Sequence, residues 1–366
     1  MAGQVHPWQT ALWQRALDRA GRLPHALLFA GPAGGGKRDF AEALAARLLC
    51  ARPGPDGHAC GQCESCQWRL AGNHPDLLRV IPAADQEERA DEGADQERAK
   101  DKDKDKDKEK AASRQILIEQ IRDLQQALTT GGHRGGGRVV ILDPAEAMNP
   151  FTANALLKLL EEPTTQTTFL LISSHPRRLL PTIRSRCQTW TFPRPQADAA
   201  HAWLAAQGNQ DAPALLAFVG GMPLAAQALA EAGGAAQLQR FVTDIGGLPQ
   251  RSALHLAGDW EAWIKGKEAQ ASGLTLATLA DWLQRWVADL VSLRLGGPVR
   301  FFPTHQAALA ALAQRLGVDG ALACYNEVTQ SRRVSQHPLN ARLFLEDMLL
   351  RYARSLSRPA GSTVRK

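Results

Sequence analysis

Two groups of residues in this chain have the types and spacing that chemistry needs. The first is Gly31-Pro-Ala-Gly34-Gly-Gly36-Lys37-Arg38. It follows the pattern G-x-x-x-x-G-K-[S/T], in which glycine amides cradle phosphates, the lysine neutralises their outer oxygens and the final hydroxyl holds Mg²⁺. Arg38 stands at the hydroxyl position, and a guanidinium has donors only, with no lone pair for a cation. The second group is Cys50, Cys60, Cys63 and Cys66, spaced C-x₉-C-x₂-C-x₂-C. Tight C-x-x-C turns bring thiolates to tetrahedral distance around Zn²⁺, and Gly61 permits the turn. Four protein ligands leave no open coordination position, so the expected metal is structural. His58 and His74 are nearby rival ligands, disulfides are the alternative use of the thiols, and Cys187 and Cys324 stand apart as core thiols.

A third feature completes the nucleotide theme. Arg138-Val-Val-Ile-Leu-Asp143 is an apolar run ending in an acid, the form of a buried parallel strand. In a phosphate-binding fold Asp143 would hold the Mg²⁺ water shell. Hydrolytic members commonly place a water-orienting glutamate next, where this chain has Pro144; Glu146 lies two residues further and would point elsewhere. Gly31, Gly34, Gly36, Lys37, Arg38 and Asp143 therefore read as a degenerate nucleotide site, lacking both the metal hydroxyl and the water-orienting acid. Whether it binds nucleotide is open. Arg184-Ser-Arg186-Cys187 is different, because nothing in it is damaged. A planar, permanently charged guanidinium here either reaches a neighbouring subunit's nucleotide or makes a local salt bridge.

These residues need a scaffold, and the periodicity supplies one. A helix from Pro7 over residues 7–20 precedes the strand 26–30, the loop and a helix over 40–49. A brief helix at 68–72, strands at 77–81, 138–143 and 168–173, a helical signal from 115, a helix 151–162 stopped by Pro163 and a helical turn 176–183 follow. Strands alternating with helices predict a parallel sheet covered on both faces. Beyond Pro193 only helices are indicated, so the fold class is α/β followed by all-α. Trp282 and Trp286, at i and i+4, read as a packed helix face, as do Trp260 and Trp263. Arg177, Arg178, Arg184 and Arg194 form either a DNA-facing surface or a solvated one.

The 366 residues, 44% hydrophobic and 6% aromatic, suffice for two or three domains with real cores. Residues 83–113 hold twelve acidic and eight basic residues, so the net +6 of the chain leaves +10 on the remainder. Such a stretch has no apolar face to bury and predicts a disordered insertion. A basic remainder suits nucleic acid or an acidic partner. No apolar run approaches the ~20 residues of a membrane span. The N-terminus lacks the basic start and apolar core of a signal peptide, which predicts a cytoplasmic protein and disfavours disulfides.

Several stretches are specific enough to resemble a known family: Pro24-His-Ala-Leu-Leu28, the four cysteines, Asn73-His-Pro-Asp76, Asn154-Ala-Leu-Leu-Lys-Leu-Leu-Glu-Glu-Pro163 and Leu180-Pro-Thr-Ile-Arg-Ser-Arg-Cys187. Over about residues 20–190 the chain resembles the clamp-loader subunits of bacterial DNA polymerase III, in the AAA+ family. The damaged loop and Pro144 point to the delta-prime branch rather than the hydrolysing gamma/tau branch. The resemblance implies an AAA+ domain at 1–192 with a structural zinc module at 50–66, a helical lid at 193–235, a helical collar for oligomerisation at 236–357 and a disordered tail at 358–366. It implies a hetero-pentameric ring with gamma/tau and delta subunits that loads a sliding clamp on primed DNA. Arg186 becomes an arginine finger offered to the ATP and Mg²⁺ of an adjacent subunit. No nucleotide-sensing arginine stands near Gly220-Gly-Met-Pro-Leu224, which again implies a silent site. Polymerase activity would belong to the holoenzyme. The rival readings are an active gamma/tau-type ATPase and a standalone zinc-stabilised nucleic-acid-binding protein.

Overall fold

The computed structural model describes residues 3–19, 21–82, 115–129, 137–164, 166–248, 250–335, 337 and 339–357. The expected insertion at 83–113 and tail at 358–366 lie outside these residues. The chain divides into two compact units, Met1–Ala199 and Ala200–Lys366.

The first unit is built on five parallel strands: β1 (Ala26–Ala30), β2 (Leu77–Val80), β3 (Arg138–Leu142), β4 (Thr167–Ser173) and β5 (Gln188–Thr191), in spatial order β2-β3-β4-β1-β5. Its helices are α1 (Thr10–Asp18), α2 (Lys37–Leu49), α3 (Glu64–Leu70), α4 (Ile118–Thr129), α5 (Pro150–Glu161) and α6 (Pro181–Arg186). Side chains alternate across a strand, and here both sets are apolar. Leu27, Phe29, Val139, Ile141, Leu170, Ile172 and Trp190 face Trp13 of α1 and Phe40 and Leu44 of α2. Leu28, Ala30, Val140, Leu142, Phe169 and Leu171 face Ile121 and Leu124 of α4, Leu156 and Leu160 of α5, and Ile183 of α6. Each such burial contributes about 1.5–3 kcal/mol. A one-residue slip would exchange the two faces, so the pairing of Ala30 with Ser173 and Thr191 is fixed. That register brings the ends of β1, β3 and β4 together at the loop.

Local signals explain the boundaries. Asn149 caps α5 by accepting the Thr152 N–H at 2.9 Å, Pro150 takes its first turn, and the helix ends before Pro163. Gly36, in the left-handed region at φ 82°, opens α2 at Lys37, three residues before the expected start. Helix α3 begins inside the cysteine turn, with Cys63 at its N-cap, rather than at residue 68. Strand β5 was not foreseen: only Trp190 of its four residues is buried, because it is the sheet edge.

The second unit has no strand among its described residues. Helix α7 (Ala197–Ala206) leads into it. Leu204 of α7 packs with Leu215 of α8 (Ala212–Leu215) and Ala226 of α9 (Pro223–Glu231) in a small apolar cluster. A larger cluster joins Phe241 of α10 (Gly234–Gly246), Trp260 of α11 (Ala253–Lys265), Trp282 and Trp286 of α12 (Leu276–Arg294), Leu309 of α13 (Gln306–Arg315), Val328 of α14 (Val318–Val334) and Tyr352 of α15 (Ala341–Ser357). Trp282 and Trp286 are core residues, as their spacing predicted. Among the described residues no single helix is long and apolar enough to cross a membrane.

Candidate functional site

The phosphate-type loop springs from β1 and turns through Gly34 and Gly36, both at positive φ, into α2. Residues that would serve a ligand are instead engaged by their own chain. Lys37, buried, donates from Nζ to Gly31 O at 2.8 Å, Pro32 O at 2.8 Å and Ser174 Oγ at 3.1 Å. Three acceptors suit an ammonium; burial pulls the other way and lowers the lysine pKa to about 8, against the opposing charges of Asp143 and Glu146. The Arg38 guanidinium pairs with the Asp143 carboxylate. This is the crevice at the carboxyl ends of parallel strands where such folds take ligands. As it stands it offers neither a free lysine for phosphate nor a free carboxylate for Mg²⁺.

Glu146 is similarly committed. Its Oε1 accepts the Ser174 and His175 N–H groups at 2.9 and 3.1 Å, so it braces the loop after β4. Burial would raise its pKa, but hydrogen bonds from its own backbone N–H, the Ser173 hydroxyl, the Ser174 N–H and the His175 ring outweigh burial and hold it below the usual carboxylate range.

A strap from the N-terminus is hydrogen-bonded to carbonyls of the loop, and the sequence reading missed it. Trp8 Nε1 donates to Gly35 O at 3.0 Å, and Gln9 Nε2 donates to Gly35 O and Gly36 O at 2.9 and 2.8 Å. His6 stacks on Trp8 and reaches Asp39 Oδ2 at 2.8 Å. The segment was legible only as the start of a helix; two side-chain amide or indole donors beside Pro7 were the available hint.

The four cysteine sulfurs lie within 4.8 Å of one another. Cys50 to Cys63 is 3.9 Å and Cys60 to Cys66 is 4.0 Å. A tetrahedron with Zn–S bonds of about 2.3 Å has edges of about 3.8 Å, so the thiols are free, unbridged and close to ligand geometry. The cluster can hold a metal ion. Burial would raise the Cys63 thiol, but N–H donors from Cys66 and Ala51 and the neighbouring sulfurs bring it to about 6; burial and the Cys63 sulfur push Cys66 up to about 12. Neither histidine belongs to the cluster. His58 stacks on Trp13 at 4.7 Å. His74 Nδ1 accepts the Asp76 N–H at 3.0 Å, so its Nε2 carries the proton and donates to Ser65 Oγ at 2.7 Å, which donates on to Leu49 O at 2.7 Å. This relay ties the residues preceding Cys50 and Cys66 to the start of β2.

Arg186 ends α6 between two buried neighbours, Ile183 and Cys187. Its Nη1 donates to Thr182 O at 3.0 Å and its Nη2 pairs with Glu161 Oε1 at 2.5 Å, with the side chain 35% exposed. Burial pushes the Cys187 thiol up to about 12, as befits a core thiol. Arg177, Arg178, Arg184 and Arg194 are exposed. Cys324 is a second core thiol.

A five-stranded parallel sheet carrying a phosphate-type loop and an acid-ended strand, followed by an all-helical unit, defines an AAA+-type subunit in which Lys37 and Asp143 are each engaged by the chain's own groups. Residues 6–196 match the family described as DNA polymerase III, delta subunit, and residues 254–354 match its C-terminal counterpart. The chain is 36% identical to DNA polymerase III subunit delta′ of Pseudomonas aeruginosa, covering 95% of this chain and 97% of that protein. It is 29% identical to the Escherichia coli delta′ subunit over 94% of each chain. The gamma/tau subunit of Mycobacterium tuberculosis is 34% identical over 52% of this chain, but only 28% of that protein. The chain belongs to the DNA polymerase III delta-prime subunit family.

Proposed function

We propose that the chain is a non-hydrolysing subunit of a clamp-loader ring in DNA replication, and that Arg186 completes the ATP site of an adjacent subunit. One contrast carries this reading: in the chain's own crevice Arg38 is paired with Asp143 and Lys37 is bonded to Gly31, Pro32 and Ser174, while Arg186 stands at the surface. Its partners are gamma/tau and delta subunits in a hetero-pentameric ring, and through the ring the sliding clamp and primed DNA. ATP and Mg²⁺ are held by the neighbour, and the chain acts in the cytoplasm. The cysteine cluster takes Zn²⁺, which adds folding energy and no reactivity because no coordination position stays open.

Residues 193–235 serve as a lid and 236–357 as the collar that joins the ring; the small apolar cluster of Leu204, Leu215 and Ala226 supports the lid, which shares Phe218 with the collar's larger cluster. An active gamma/tau-type motor would need Asp143 for Mg²⁺, and Arg38 occupies it. A standalone nucleic-acid-binding protein is disfavoured by delta-prime membership across 95% of the chain. The test is omission. A ring of the partner subunits, with sliding clamp and primed DNA, should load clamps only when this chain is added back. Full loading without it would count against the proposal.

A further inference from the structure

We infer that Glu161 is the positioning residue for Arg186, setting the plane of the guanidinium before a neighbour's nucleotide meets it. The inference rests on the finger role proposed above and adds to it the residue that aims the finger.

The two residues come from different helices but stand on one core. Glu161 closes α5 directly after Leu159 and Leu160, which are buried in the apolar cluster that also holds Ile183 and Cys187 on either side of Arg186. Their backbones therefore keep a fixed relation. Within it, Thr182 O holds Nη1 and Glu161 Oε1 holds Nη2. One acceptor would fix a position; two acceptors on different nitrogens fix the plane. A guanidinium has five N–H groups in a rigid fork, so donors remain for phosphoryl oxygens. A loose arginine must lose its rotamer freedom each time it engages, and pre-ordering removes that loss from the reaction.

The pair contributes little to folding, because its attraction is largely offset by the entropy of holding two side chains in one geometry, and that geometry is what the finger uses. That property separates aiming from a structural role.

The experiment uses the reassembled ring with wild type, Glu161→Ala, Glu161→Gln, Arg186→Ala and the double alanine variant, reading DNA-stimulated ATP turnover. Glu161→Ala should lower kcat about five- to tenfold with KM for ATP unchanged, since the finger meets charge that develops in the transition state. Glu161→Gln keeps an acceptor and should recover part of the loss. The double variant should match Arg186→Ala alone, and every variant should melt with the wild type. Wild-type or raised turnover in Glu161→Ala, or a double variant worse than Arg186→Ala, would overturn the inference while leaving the finger role standing. Unchanged turnover in Arg186→Ala would remove the finger role, and this inference with it.

Discussion

The guanidinium of Arg38, in the first turn of α2, is paired with the carboxylate of Asp143 at the end of β3. In a working phosphate loop these two positions cooperate through Mg²⁺: one gives a hydroxyl, the other a carboxylate. Here a fixed cation belonging to the protein sits on the acid, and a mobile cation would have to compete with it. The same logic applies at Lys37, whose ammonium is spent on Gly31, Pro32 and Ser174. Internal contacts therefore hold the loop between β1 and α2 in place.

Replacing Arg38 with threonine restores the missing hydroxyl and releases Asp143. Arg38→Thr should gain Mg²⁺-dependent nucleotide affinity, measured by calorimetric titration, while the wild type shows no Mg²⁺ dependence. Hydrolysis should remain absent in both, because Pro144 still stands at the water-orienting position and Glu146 stays bound to Ser174 and His175. Mg²⁺-dependent binding by the wild type would refute the closed crevice.

Removing the metal should loosen the first unit. One Zn²⁺ per chain is expected by elemental analysis, and chelation should lower Tm by ~6–12 °C, corresponding to about 3 kcal/mol for a unit of this size. Cys63→Ser should show the lower Tm without a chelator and should not respond to added Zn²⁺. An unchanged Tm after complete metal removal would show that the cluster stabilises nothing.

Lys37 gives a pH signature of definite sign. Its pKa is about 8 in the fold against an ordinary 10.5, so between these values the unfolded chain binds more protons than the folded one. Stability contributed at this site must then rise with pH from about 8 to 10.5, and below 8 the folded chain bears the full penalty of burying the ammonium. Relative to Lys37→Met, wild-type stability in urea should climb across that window by at most about 3 kcal/mol. The comparison cancels the cysteines, which titrate in both proteins. A flat difference would mean that the three hydrogen bonds fully offset burial.

Much of this was legible before any coordinates. The short apolar run Val139-Val140-Ile141-Leu142, ended by Asp143, has the form of a strand covered on both faces, and the glycines with Lys37 placed the loop between a strand and a helix. The C-x-x-C turns announced their cluster because the ligands are local in sequence. What stayed hidden depends on distant pairs. Arg38 was read as a lost hydroxyl, and nothing local says that its charge is spent on Asp143, 105 residues away. Trp8 and Gln9 reach Gly35 across the fold, and β5 has a single buried residue to signal it. Asp289, fully buried inside an apolar helix face, looks misplaced in sequence; only the structure reveals its three backbone donors.

Those donors make Asp289 a sharp stability test for the helical unit. It accepts the N–H groups of Arg300, Phe301 and Phe302 at 2.8, 2.9 and 2.9 Å. Asp289→Ala strands all three and should cost about 3 kcal/mol or more, seen as a lower urea midpoint with unchanged slope. Asp289→Asn retains one oxygen and should fall between. A near-neutral alanine variant would mean that the segment 300–302 finds other partners.

On the proposed reading this chain does its chemistry in a neighbour's site and none in its own. Comparing Arg186→Ala with wild type in the reassembled ring, by DNA-stimulated ATP hydrolysis, tests it most directly. Turnover at the adjoining site should fall about 10³-fold, the effect of a lost arginine finger, with the ring still assembled. Unchanged turnover in an intact ring would contradict it and leave Arg186 as one half of a surface ion pair.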